Sequence, residues 1–168
     1  MLKVKVLKNS LFKDKRGYYW TSWKKGIIKN IVFKHDKFSL SKKNVLRGLH
    51  GDKKTRKLIS CPYGKFFLVA VNCLKGSKNY LKWKSWILSQ ENGLQVMIPP
   101  NYANGHLCLS KNCLFHYKLS YKGSYNDAKK QFSLRWNDPK ISIKWPIKKP
   151  ILSQKDKINV KFSDIFGK

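Results

Sequence analysis

Apolar and polar residues alternate along much of this chain with a period of two, the spacing of a strand that buries one face. Leu2 to Leu7 sets the pattern, with Leu2, Val4 and Val6 separated by lysines. Tyr18 to Trp23 is an aromatic, strand-prone run after the Arg16-Gly17 turn signal, and Ile27 to Phe33 is a further β-rich run. His35 to Ser39 is polar enough for a sheet end or a pocket rim. Lys57 to Cys61 and Lys65 to Val71 flank Pro62-Tyr63-Gly64, where proline presets a corner and glycine supplies a positive φ, so a hairpin is predicted. Tyr80 to Leu88, Leu94 to Ile98, His106 to Leu109 and Cys113 to Leu119 complete the strand pattern. Beyond Ser120 it loosens into a loop through Asn126. Ile141 and Ile143 alternate before Trp145-Pro146, and Pro150 to Lys157 predicts a short helix or turn with Ser153 as N-cap. Many short strands with few helical periods predict an all-β sandwich or barrel.

Composition narrows the class. A chain of 168 residues, 42% hydrophobic and 14% aromatic, fits one domain spanning 1–168 with a real core, not a disordered segment. Its 37 Lys and Arg against 8 Asp and Glu give a formal charge of +29, which favours nucleic acid, anionic lipid or phosphorylated ligands. The lysines are scattered, however, with no helical stripe or basic tail, so a solvated lysine-rich surface is the simpler account. Cys61, Cys73, Cys108 and Cys113 form no Cys-x-x-Cys pair and no zinc-ligand spacing, which predicts buried free thiols. The alternating start is unlike a signal peptide and no run reaches membrane-spanning length, so a cytoplasmic location is expected.

The stretch Asn44-Val45-Leu46-Arg47-Gly48-Leu49-His50 joins a strand-like run to a cation and an imidazole that titrates near neutrality. Arg47 and His50 have opposite parity on an ideal strand. For both to face one pocket, Gly48 has to bulge the strand and reset the alternation. Taken alone, these residues fit a structural histidine and a surface cation more readily than a catalytic pair.

Matching sequence elsewhere changes that balance. Lys15-Arg16-Gly17-Tyr18-Tyr19, Val45 to His50, Lys57-Leu58-Ile59, Ile98-Pro99, Ala103-Asn104-Gly105, Tyr117-Lys118, Trp136-Asn137-Asp138-Pro139 and Leu152 to Asp156 occur in order between about residue 15 and residue 156. In this the chain resembles the dTDP-4-dehydrorhamnose 3,5-epimerase family of cupin-like nucleotide-sugar epimerases. The resemblance implies an all-β, cupin-type jelly-roll barrel with short peripheral helices. It also implies a cofactor-free reaction at C3, C5 or both of a nucleotide-linked 4-keto sugar.

Epimerisation beside a ketone needs a base on one face of the ring, stabilisation of the enolate oxygen, and an acid on the other face. By resemblance His50 is the base, Asp156 the carboxylate that orients and charges it, Tyr117 the acid, and Lys57 the cation beside the keto oxygen. Read without the family, Lys57 is one surface lysine among many and Tyr117 a residue alternating between core and surface. Arg47 and Arg16 match positions that hold the diphosphate. Arg16 and Tyr19 would come from a second subunit, because N-terminal strands are exchanged across the family's homodimer. No metal is called for, and the region around His50 lacks the His-x-His of metal-binding cupins.

Three departures bear on the substrate. Asn104 stands where the family usually has histidine, with His106 two residues on and on the same strand face. Gly123 falls where a tyrosine stacks on thymine, so Tyr121 or Tyr125 would have to compensate. Thr21, His35 and Lys37 occupy positions that grip thymidine. These changes, the Ala-Asn-Gly-His variant and the lysine-rich background resemble the subgroup acting on GDP-linked 4-keto-heptoses in capsule biosynthesis, which favours a GDP-linked over a dTDP-linked sugar. A sugar 3,4-ketoisomerase, a basic nucleic-acid-binding β protein and an inactive sugar-binding cupin are the competing readings. Neither nucleic acid nor a membrane is the expected partner.

Overall fold

The period-two alternation resolves into strands that pair antiparallel in every ladder. The computed structural model describes residues 3–125 and 130–158; Leu2 and Asn126, at the ends of two predicted segments, lie outside them. In chain order the strands are β1 (Lys5–Lys8), β2 (Phe12–Asp14), β3 (Gly17–Tyr19), β4 (His35–Lys42), β5 (Leu46–Gly51) and β6 (Arg56–Tyr63). They continue with β7 (Lys65–Asn72), β8 (Trp83–Ser89), β9 (Leu94–Ile98), β10 (Tyr102–Cys108), β11 (Asn112–Ser120) and β12 (Phe132–Ser133), before a single helical turn, α1 (Gln154–Lys157). One sheet has the order β1-β9-β6-β11-β4 and the other β12-β5-β10-β7-β8, while β2 and β3 form a separate hairpin. The two large sheets stack as a cupin-like jelly roll. Among the described residues no helix is long and apolar enough to cross a membrane.

Alternation explains where the core lies. Ile59 and Cys61 of β6, Val96 and Ile98 of β9, and Cys113 and Phe115 of β11 meet Phe66, Leu68 and Ala70 of β7, Leu88 of β8 and Cys108 of β10. Each side chain the size of Leu68, fully buried here, stabilises the fold by about 1.5–3 kcal/mol. The four cysteines are buried free thiols, as expected, and burial pushes those of Cys61 and Cys73 up to about 12. Along the same inward faces the composition then turns polar: Lys57 precedes Ile59, Tyr117 follows Phe115, and Asn104 and His106 precede Cys108. The end of the sandwich where that change occurs holds the pocket.

Four expectations change. Ile27 to Phe33 forms no strand, because Asn30 takes a left-handed φ of 59° that breaks the extended chain. Trp23 instead meets Phe33 edge to face at 4.6 Å, and the Ser22 carbonyl accepts from Gln95 Nε2 of β9 at 2.9 Å, so this segment lies over the outer face of the first sheet. The early aromatic strand stops at Tyr19. Of the two places expected for His35 to Ser39, the sheet end gives way to the body of β4, the edge strand of its sheet, while the pocket rim holds for Ser39: Lys37, Ser39 and Ser41 face inward, whereas Phe38 and Leu40 are 60% and 61% exposed. Finally, Pro62-Tyr63-Gly64 makes no hairpin. Gly64, at φ 75°, carries the chain from β6 in one sheet to β7 in the other.

Candidate active site

A cavity of about 190 Å³ opens between the two sheets where the inward faces turn polar. Arg47 and His50 of β5, Lys57 of β6, Asn104 and His106 of β10 and Tyr117 of β11 all line it. Six of the residues singled out from sequence thus converge on one space. The second sheet supplies His50 and the first supplies Tyr117, so an imidazole and a phenol stand on opposite walls.

Arg47 and His50 reach the same side by the bulge that their parity demanded. His50 pairs with Asn104 and Arg47 with His106, leaving Gly48 and Leu49 of β5 opposite Gly105 alone. Gly48 has a φ of 130°, and a Cβ built on it would lie 2.5 Å from the Gly105 Cα. A Cβ on Gly105 would in turn sit 2.9 Å from the Arg47 carbonyl oxygen. The two backbones therefore approach through a gap that admits hydrogen only.

Both nitrogens of the His50 ring are engaged. Nε2 lies 3.0 Å from Asp156 Oδ1 and Nδ1 lies 2.8 Å from Ser133 Oγ. A carboxylate can only accept, so Nε2 carries the proton and Nδ1 offers its lone pair to the Ser133 hydroxyl. Asp156 is buried and held by its own turn. Ser153 caps α1 as expected, its Oγ accepting from the Asp156 amide at 3.1 Å and donating to Asp156 Oδ2 at 3.0 Å.

Lys57 is buried with its ammonium aimed at the cavity wall, where it donates to Asn104 Oδ1 at 2.8 Å and to the His50 carbonyl at 3.4 Å. Burial lowers its pKa to about 8, with the Asp52 carboxylate opposing the shift. Asp52 is itself buried. Its Oδ1 accepts from the amides of Lys54 and Thr55 at 2.9 and 2.7 Å, while Oδ2 and the Thr55 hydroxyl have no partner among the described residues. A cation so placed can stabilise negative charge on a ligand oxygen in a low-dielectric setting.

His106 stacks on Phe115 with ring centroids 4.2 Å apart, and burial next to Arg47 lowers its pKa to about 3, which keeps the ring neutral. Its buried Nε2 has no partner among the described residues. Lys57 engages only the Asn104 Oδ1, so the Asn104 Nδ2 keeps its donors for a ligand, beside the His106 ring that also lines the cavity. Arg47 donates through Nε to Ser41 Oγ at 3.0 Å and through Nη2 to the Leu40 carbonyl at 3.3 Å, leaving donors over for an anion. Burial raises the Tyr117 pKa, as does Tyr125, against the cations Lys37 and Arg47. The phenol therefore holds its proton at neutral pH and can act as an acid.

The remaining expected residues stand apart. Arg16 is 84% exposed on the β2–β3 hairpin, paired with Asp14 at 2.7 Å, and Tyr19 of β3 is exposed too; neither lines the cavity of its own chain. His35 lies at the start of β4, stacked on Tyr121 with its Nδ1 3.0 Å from the Tyr121 hydroxyl. Tyr125 reaches the cavity and bonds Lys37 Nζ at 3.2 Å. Gln131 and Thr55 also line the cavity, and Ser133 and Asp52 support its lining residues; none of the four was singled out from sequence. Among the described residues no group of three or more His, Cys, Asp or Glu side chains is placed to hold a metal ion.

The chain is similar to known proteins over nearly its whole length. The profile described as dTDP-4-dehydrorhamnose 3,5-epimerase matches residues 1–164. The Salmonella typhimurium protein of that name is 37% identical over 162 residues, covering 91% of this chain and 87% of its own. Among solved structures, the Bacillus anthracis dTDP-4-dehydrorhamnose 3,5-epimerase with TDP and pyrophosphate bound superposes with a TM-score of 0.88 at 32% identity, over 95% of this chain and 94% of its own. The Legionella pneumophila dTDP-6-deoxy-D-glucose-3,5-epimerase, in complex with dTDP-4-keto-L-rhamnose, gives 0.87 at 34% identity, over 96% and 88%.

Proposed function

This chain belongs to the dTDP-4-dehydrorhamnose 3,5-epimerase family and is an epimerase; within that family, we propose that it inverts C3 and C5 of a dTDP-linked 4-keto-6-deoxy sugar. The names of its relatives support this reading over the GDP-linked heptose expected from the sequence. The observation that carries the mechanism is the opposition of His50 and Tyr117 across one small cavity. His50 Nδ1 takes the proton beside the ketone, and its positive charge is balanced by Asp156. The Lys57 ammonium faces the keto oxygen as it becomes an enolate, Asn104 and His106 line the space for the sugar hydroxyls, and Tyr117 delivers a proton to the opposite face. The cavity admits one sugar ring, which leaves the diphosphate to Arg47 at the rim and the base outside, near His35, Tyr121 and Tyr125.

The test is mass spectrometry of dTDP-4-keto-6-deoxyglucose incubated with the protein in D2O, with a GDP-4-keto-heptose alongside. Two enzyme-dependent deuterons in the dTDP sugar are expected. Uptake by the GDP sugar alone would return the reading to the heptose, and one deuteron would restrict it to a single centre. Tyr117→Phe, which keeps the ring and loses the acid, is expected to lower inverted product roughly a hundredfold while exchange without inversion continues. Equal loss of both would assign the acid elsewhere.

The exposed hairpin fits a homodimer in which Arg16 and Tyr19 complete the partner's pocket. Arg16→Ala is expected to raise KM by roughly tenfold to a hundredfold, the size of a lost charge-assisted bond to phosphate, with kcat little changed. Kinetics with sedimentation of the wild-type chain checks both halves of this expectation. A monomer with full activity would refute the exchanged arrangement.

A further inference from the structure

The His50 ring raises a question that the mechanism above leaves open, because a base needs a lone pair that substrate can reach and both ring nitrogens are already bonded. The two partners differ in how they can yield. Asp156 is buried, tied to the Ser153 hydroxyl and built into the first turn of α1. Ser133 needs only rotation about its Cα–Cβ bond to move its hydroxyl. Its position is nonetheless fixed by register. Leu49 and Leu134 exchange both backbone hydrogen bonds, at 2.9 and 3.3 Å, which makes the adjacent His50 and Ser133 a non-hydrogen-bonded pair, the kind whose side chains stand closest.

Resting on the epimerase reading, we propose that Ser133 is a positioning residue that makes Nδ1 of His50 the reacting nitrogen and then holds the abstracted proton there. The ring carbon is consequently reprotonated by Tyr117 from the far face, not by His50 from the near one. A hydroxyl suits this task because it donates to a neutral nitrogen and accepts from a protonated one. As the proton moves from carbon to Nδ1, the C–H electron pair passes into the enolate and the ring becomes imidazolium. The Ser133 oxygen then accepts the new N–H. Tyr117 gives its phenolic proton to the carbon, the enolate electrons form the new C–H bond, and solvent exchange returns a proton to the phenolate and removes one from the imidazolium.

Two measurements on the full chain test this. With 15N-labelled histidine, His50 is expected to carry its proton on Nε2, and Ser133→Ala to move the Nδ1 resonance towards that of an unbonded imine nitrogen, with Ser133→Thr restoring it. With dTDP-4-keto-6-deoxyglucose in D2O, the ratio of deuterium in unchanged substrate to deuterium in inverted product is expected to rise roughly tenfold in Ser133→Ala, about one net hydrogen bond, and to fall back in Ser133→Thr. An unchanged ratio in folded Ser133→Ala overturns the proposal, as does a proton found on Nδ1 of neutral His50. Absence of uptake by the wild type instead overturns the epimerase reading, while the resonances still decide the Ser133–His50 pairing.

Discussion

Replacing His50 with asparagine is expected to lower kcat by roughly a thousandfold and to abolish deuterium uptake, with KM and the far-ultraviolet circular dichroism close to wild type. At neutral pH the loss is large because Lys57 is mostly the ammonium below about pH 8 and neither His106 nor Tyr117 is a good base. His106, on the adjacent strand, is kept neutral and weakly basic by burial and Arg47, and the phenol of Tyr117 keeps its proton. The fold should tolerate the change, since His50 is a half-buried residue at the cavity and the apolar clusters do not include it. Asp156→Asn is the informative companion. An amide can present its oxygen to Nε2–H as the carboxylate does but cannot balance an imidazolium charge, so kcat should fall with the site geometry intact. Retention of uptake by His50→Asn would remove the base from the mechanism.

Lys57→Met is expected to cost roughly a hundredfold to a thousandfold in kcat, the range for loss of one group that stabilises a developing oxyanion. The wild-type pH profile should carry the signature of the same residue. Burial brings its pKa from 10.5 to about 8, so the ammonium that the proposed mechanism sets against the enolate oxygen is present below about pH 8 and lost above it. The rate should therefore decline through that pH on the alkaline side. Stability should move the other way. Between about pH 8 and 10.5 the unfolded chain binds a proton at Lys57 and the folded chain does not, so this residue's contribution to stability rises with pH across that window. Rates and thermal midpoints measured from pH 7 to 10 in wild type and Lys57→Met separate the two trends. A flat alkaline limb in wild type would show that the Lys57 charge is not used.

The strand-like run through Gly48 already contained the bulge, because two side chains of opposite parity could share a pocket only if the alternation broke between them. Ser153 as N-cap and the shared face of Asn104 and His106 were legible by the same local geometry. What local geometry could not give was the direction of a strand's faces. In β4 the apolar residues Phe38 and Leu40 point outward and Lys37, Ser39 and Ser41 inward, which reverses the usual sign of the pattern. Nor could it show that Pro62-Tyr63-Gly64 joins two sheets, since a turn has the same composition in either role. Ser133 stood 83 residues from His50, a distance closed only by the β12–β5 register. Asp52 carries only a weak signal in the sequence, its place among just 8 acids, with no motif or spacing to mark it.

The bulge opposite Gly105 works on this barrel as a frameshift works on a message. Before it, β5 is read in the frame that turns Arg47 into the cavity; after it, in the frame that turns His50 there. An unbroken ladder would have kept the same residues and the same composition, yet would have placed Arg47 and His50 on opposite sides of a sheet. The chemistry of this site is thus encoded in one unpaired position as much as in the side chains that flank it.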